Sequence, residues 1–196
     1  MRVAIVGGGV GGLTAAAALS RKGIECTVYE QAPAVAVTGA SLQLGPNALR
    51  LMDDIGLLPG LREIGVRPEA VDFVRWTDGS LLLHTPLGAP MEEYFGAPQL
   101  DFYRPDLHRV LLDALAPDTV MPGVAVKNVE QTDGAVTLEL GDGSLVDADV
   151  AVAADGIRSR IRQQLAGAEE PVFSGTVVYR GVARREDMLD LSLIHI

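Results

Sequence analysis

Val3-Ala4-Ile5-Val6-Gly7-Gly8-Gly9-Val10-Gly11-Gly12-Leu13 opens the chain, and the next apolar run, Ile24-Glu25-Cys26-Thr27-Val28-Tyr29, closes on Glu30. The stretch predicts strand, glycine turn, helix and second strand. Arg2 to Val6 has the run of apolar residues of a strand buried on both faces. Leu13 to Lys22 is alanine-rich, the composition that most favours helix, and Gly23 stops it. Each glycine has its own task. Gly7 permits the tight turn, Gly9 lets backbone approach a pyrophosphate, and Gly12 lets helix and strand pack closely. Val10 and Gly11 complete a helix N-terminus whose free N–H groups and positive dipole end suit phosphate. Glu30, 18 positions after Gly12, and its neighbour Gln31 stand where a ribose is held. A glycine-rich turn alone would be compatible with no ligand. Strand, helix, second strand and acid together predict a dinucleotide site.

Composition narrows the rest. The 196 residues allow one large domain or one and a fraction. A 48% hydrophobic content supports a packed core, and 21% charged residues is ordinary for a soluble domain. The net charge of −10 argues against a nucleic-acid partner, which needs clustered Lys and Arg. One cysteine, Cys26, excludes an internal disulfide framework and suits a reducing, cytoplasmic setting; its place in a strand reads as an inert buried thiol. Residues 3–19 carry no charge, but five glycines among positions 7–12 make a poor signal peptide, and no stretch reaches the ~20 apolar residues of a membrane span.

Further along, Pro46 to Gly56 and Pro59 to Ile64 read as helices, and Val71 to Trp76 with Ser80 to His84 as a hairpin around Thr77-Asp78-Gly79. Pro86, Pro90 and Pro98 suggest a connection without regular structure. Pro105 to Ala116 reads as an amphipathic helix. Val124 to Gln131, Val136 to Leu140 and Leu145 to Ala154 follow as strands, the last having the composition of a parallel-sheet strand from Ala148 onward. Ser159 to Leu165 is a short helix, which would put Arg158 and Arg162 on one face. Phe173 to Ala183 reads as a strand again. Phe73 and Trp76 read as packing residues. His84, His108 and His195 lack metal-ligand spacing, so no metal is expected.

Three elements together resemble the FAD-dependent aromatic hydroxylases, the single-component flavoprotein monooxygenases typified by para-hydroxybenzoate and salicylate hydroxylases. They are the glycine turn with Glu30, the helix entry Tyr103-Arg104-Pro105-Asp106-Leu107, and Asp155-Gly156-Ile157-Arg158-Ser159-Arg160-Ile161-Arg162. Gly39 to Arg50 and Gly175 with Tyr179-Arg180-Gly181-Val182 are similar to further segments of that family. The resemblance implies an α/β, glutathione-reductase-like FAD-binding domain of Rossmann type with β-rich insertions. It implies a cofactor contact for Arg104 and for Asp155. It also implies FAD as cofactor, NADH or NADPH as co-substrate, O2, and hydroxylation of a small, usually aromatic, substrate. No catalytic base can be named from the sequence.

On this reading residues 1–170 are the FAD-binding domain, with substrate-side segments inserted around 66–100, and 171–190 begin the substrate-domain sheet. The family's later Gly-Asp motif is missing, so the fold is expected to be truncated before completion. Leu-Ser-Leu-Ile-His-Ile at 191–196 matches the translated end of a sequencing transposon and reads as a non-native tail. Two alternatives stay open: another FAD oxidoreductase of this fold, such as an isoprenoid-lipid reductase or an epoxidase, and an inactive nucleotide-binding module. A plain NAD-dependent dehydrogenase is disfavoured by the Asp155 to Arg162 motif.

Overall fold

The computed structural model describes residues 1–33, 41–167 and 171–177. The chain divides into two compact units. The described part of one is 1–33, 111–167 and 171–177; that of the other is 41–110.

The first unit is built on a parallel sheet. β1 (Arg2–Val6) lies between β11 (Val150–Ala153) and β2 (Glu25–Glu30), with β7 (Val120–Pro122) beyond β2, and every pairing is parallel. Helix α1 (Val10–Arg21) links β1 to β2. The apolar run of β1 follows from burial on both faces. Val3 and Ile5 pack with Ala16, Cys26 and Val28, while Ala4 and Val6 pack with an antiparallel meander. That meander is β8 (Val126–Thr132), β9 (Ala135–Leu140) and β10 (Leu145–Ala148). Alternation sets its inner face, Val136, Leu138 and Leu140, against Ile161 of α6 (Arg160–Ala166). The Gln164 carboxamide pairs with both the N–H and the carbonyl of Val129, which fastens α6 to β8. Ile5 and Leu138 are fully buried, each stabilising the fold by roughly 1.5–3 kcal/mol.

In the second unit β3 (Ser41–Leu44) pairs antiparallel with β6 (Leu100–Tyr103), and Val66 bridges the far side of β6 through Asp101. Helices α2 (Pro46–Asp54) and α3 (Leu58–Ile64) supply Leu49, Met52, Leu58 and Leu61 to its interior, and α4 (Gly88–Phe95) begins at the buried Gly88. Gly65 ends α3 where a Cβ would come within 2.8 Å of the Phe102 ring. The hairpin of β4 (Ala70–Val74) and β5 (Leu81–Pro86) has a register shift between Phe73 and Val74. Arg62 and Arg67 hold Glu92 of α4 at 2.6 and 3.3 Å. The Arg62 hydrogen bond first, then the charges of both arginines, keeps the Glu92 carboxyl below its ordinary range. The division between units falls within α5 (Arg104–Asp113).

Several expectations are corrected. The segment with Pro86, Pro90 and Pro98 holds α4 and β6: Pro90 falls in the first turn of α4, where its missing N–H has no partner to lose. The run Leu145 to Ala154 is two strands. Asp149 breaks it, its N–H bonding to the Arg2 carbonyl and its carboxylate accepting the Arg2 N–H at 2.6 Å, so the chain leaves the meander for the parallel sheet. Helix α6 starts at Arg160, and Arg158 lies in the turn before it, so Arg158 and Arg162 are not a helical pair. Trp76 is 93% exposed and Phe73 56%, since the two-stranded hairpin leaves both its faces open among the described residues. Residues 173–177 form no strand, and 178–183 lie outside the described residues. The short strands β3 and β7 had no signal beyond three or four residues.

Candidate dinucleotide-binding site

The glycine turn lies between the carboxyl ends of β1, β2 and β11, and its glycines divide into two sets. Gly7, at φ 105°, is confined: a Cβ there would overlap the Ala154 carbonyl oxygen and approach the Asp155 Cα at 3.0 Å. Gly12 is equally confined, since a Cβ would overlap the Gly7 carbonyl oxygen. These two are required by the protein's own packing. Gly9 and Gly11 are not. A Cβ at either would meet nothing within 4 Å, and Gly9 has φ −73° and ψ 179°, a conformation open to any residue. The space over them sits at the N-terminus of the 12-residue α1, whose first turn has no side-chain cap and no acidic residue. N–H groups and a positive dipole end around an open space fit a pyrophosphate.

Glu30 frames the same turn. Its Oε2 accepts the Gly8 N–H at 2.7 Å and its Oε1 accepts the Ala32 N–H at 2.8 Å. The carboxylate is therefore fixed at the end of β2, half-buried, before any ligand arrives. The Gly7 N–H bonds to the Tyr29 carbonyl at 2.8 Å, which ties turn to strand one residue earlier. Gln31 is exposed beside it and Val10 is half-buried at the start of α1.

Asp155 follows β11 and reaches the turn through its backbone, under Gly7. Its side chain faces the other way. Oδ1 accepts from Ser159 Oγ at 2.6 Å, and Oδ2 accepts the N–H groups of Arg160 and Ile161 at 2.8 and 3.4 Å. Ser159 Oγ in turn accepts the Arg162 N–H at 2.9 Å. The carboxylate and the hydroxyl together cap α6. The structure thus brings Gly7, Gly9, Val10, Gly11, Gly12, Glu30, Gln31 and the Asp155 backbone into one unit. Arg104 belongs to the other unit, exposed at the start of α5. Gly8, whose N–H anchors Glu30, and Ala154, which walls Gly7, were not singled out in the sequence. The triple glycine was the available signal for Gly8, whereas only three-dimensional pairing of β11 with β1 reveals Ala154.

Other chemistry-bearing groups are found elsewhere in the sequence. His84 Nδ1 and Asp72 Oδ1 pair at 2.6 Å on the exposed hairpin, and His108 is buried in α5. Cys26 is a buried free thiol near the Ala16 carbonyl at 3.7 Å. Among the described residues no group of three or more His, Cys, Asp or Glu is placed to hold a metal ion, and no helix is long and apolar enough to cross a membrane.

A βαβ unit of this kind, with open space over two glycines and a fixed acid at the second strand, defines a dinucleotide-binding protein. Residues 1–186 match the family described as FAD binding domain, and the chain belongs to that family. It is 44% identical over 190 residues to a 3-amino-4-hydroxybenzoate 2-monooxygenase of Streptomyces platensis, covering 97% of this chain and 48% of that protein. It is 37% identical to a 6-hydroxynicotinate 3-monooxygenase of Pseudomonas fluorescens, covering 92% of this chain and 47% of that one. The fold is similar to the crystal structure of Klebsiella pneumoniae HpxO complexed with FAD and uric acid, with a TM-score of 0.75, 32% identity, and coverage of 85% of this chain and 42% of that one. The chain spans about half the length of the curated relatives it matches.

Proposed function

We propose that this chain is the FAD-binding part of a monooxygenase that hydroxylates a small aromatic ring bearing hydroxyl or amino groups. The open space over Gly9 and Gly11 beside the fixed Glu30 carries the cofactor half of this reading. The substrate half is supported by the aromatic substrates named for the relatives, 3-amino-4-hydroxybenzoate and 6-hydroxynicotinate.

When bound, FAD reduced by NADH or NADPH supplies the activation of O2 and the insertion of one oxygen atom. The chain's residues bind and orient. The N–H groups of Gly9, Val10 and Gly11 and the dipole of α1 hold the pyrophosphate; the absence of side chains at Gly9 and Gly11 lets it approach. Glu30, held by the Gly8 and Ala32 amides, accepts ribose hydroxyls, with Gln31 adjacent. Arg104 supplies a cation to the cofactor from the start of α5. Asp155 acts from its backbone beside Gly7, while its carboxylate holds the start of α6 in place. Residues 1–170 form the cofactor domain, with 66–100 as its substrate-side insertion. The lone buried thiol supports a reducing cytoplasmic location. The half-length match favours a second reading for the chain by itself, a nucleotide-binding module without activity.

The test is oxidation of NADH and NADPH by the full-length protein with and without 3-amino-4-hydroxybenzoate, together with O2 uptake. Substrate-stimulated oxidation with one O2 consumed per hydroxylated product is expected. Nucleotide oxidation that no hydroxy- or aminobenzoate stimulates or converts would overturn the reading.

A further inference from the structure

Asp101 is 3% exposed, and its Oδ1 has no hydrogen-bond partner. Its Oδ2 accepts from Gln43 Nε2 at 3.4 Å. Burial raises the carboxyl above its ordinary range, against the smaller opposing pull of the Gln43 and then the Gln99 side chains. Its backbone N–H and carbonyl are both paired with Val66, at 2.8 and 2.9 Å, so the residue sits in the middle of three strand segments and not at an edge. As a structural element this is poor: any neutral β-former would make the same ladder bonds without burying a carboxylate. Buried polar groups of this kind concentrate where function demands them.

Gln43 shows what the demand is. It faces Asp101 directly across the β3–β6 pair, on the same face, and unlike Asp101 it is exposed. A carboxamide has a donor end and an acceptor end, and a neighbouring carboxylate accepts only from the donor end. Asp101 therefore turns Nε2 inward and leaves Oε1 facing away from it. Leu42 and Leu44 alternate to the opposite face from Gln43, so the ribbon presents this acceptor apart from its apolar side.

We propose that Asp101 is a positioning residue that fixes the Gln43 carboxamide, so that Gln43 Oε1 accepts a hydrogen bond from an amino or hydroxyl group of the aromatic substrate. The inference rests on the proposed aromatic-monooxygenase reading and adds a specificity element to it. Substrates carrying a ring N–H or O–H donor are favoured, and analogues with that group masked are disfavoured.

The experiment uses the full-length, FAD-loaded protein and two probes, 3-amino-4-hydroxybenzoate and 3-methyl-4-methoxybenzoate, with Kd read by titration calorimetry. The wild-type protein is expected to prefer the first probe. Asp101→Asn, which frees the amide to turn, and Gln43→Met, which removes the acceptor, each lower that preference about tenfold. The double variant shows no loss beyond Gln43→Met, because one residue acts through the other. Equal weakening of both probes, losses that multiply in the double variant, or an unchanged preference in Gln43→Met would overturn the inference while leaving the aromatic reading standing. A wild-type protein that holds FAD but binds neither probe would overturn both.

Discussion

Glu30 is joined to Gly8 by a 2.7 Å hydrogen bond across the glycine turn, and its other oxygen is joined to the Ala32 amide. The acid that closes β2 is thus part of the turn's own structure as well as a candidate ligand group. Glu30→Gln retains one acceptor oxygen and replaces the other with a donor that faces an N–H. Loss of one charge-assisted bond and of the ribose acceptor is expected to destabilise the ligand-free chain by about 1–2 kcal/mol and to weaken FAD at least tenfold. Urea denaturation and FAD fluorescence titration measure the two; an unchanged denaturation midpoint would show that the Gly8 bond contributes nothing.

The two sets of glycines predict opposite behaviour. Gly11→Ala lies inside α1 with open space around it, so the ligand-free protein should be as stable as wild type or up to about 1 kcal/mol more stable. Its FAD binding should nevertheless fall sharply. Gly12→Ala overlaps the Gly7 carbonyl and should lose both fold and binding. Thermal unfolding beside FAD titration separates these outcomes, and a Gly11→Ala protein with normal FAD affinity would contradict the assignment.

The caps on α6 are testable without ligand. Asp155→Ala removes acceptors for three donors, and Ser159→Ala removes one cap, at about 2 and 1 kcal/mol respectively. Equal losses for the two variants would show that Asp155 adds nothing to Ser159.

Asp101 and Glu92 respond to acid with opposite signs. The folded-state pKa of Asp101 is raised, so its burial disfavours the folded state above that pKa and ceases to do so as pH falls below the unfolded value of 3.8. Glu92 is lowered, so its ion pairs stabilise above the unfolded value of 4.5 and are lost as pH falls through its folded pKa. Asp101→Asn is therefore expected to stabilise the protein at pH 7 by about 1 kcal/mol and to be neutral in strong acid. Glu92→Gln should destabilise at pH 7 and be neutral in acid. Denaturation midpoints from pH 3 to 7 give both slopes, and parallel slopes for the two variants would refute the opposition.

The cofactor side was legible because each of its parts leaves a mark at short range. A glycine spacing, an alanine-rich helix and an apolar strand ending in Glu30 need only thirty residues to be recognised. What escaped depends on distant partners. The split at Asp149 is set by Arg2, and the length of β7 by its pairing with β2. Trp76 reads as core by type, yet its exposure depends on what covers the hairpin. The Asp101–Gln43 pair joins residues 58 positions apart, and nothing in the sequence around either one announces the other.

The most direct test of the central claim is the cofactor released by heat from the purified full-length protein, identified and quantified against the flavin absorbance of the native sample. The account predicts FAD, near one equivalent in the wild type and little in Gly11→Ala. FMN, a nicotinamide nucleotide alone, or equal FAD in both proteins would contradict it.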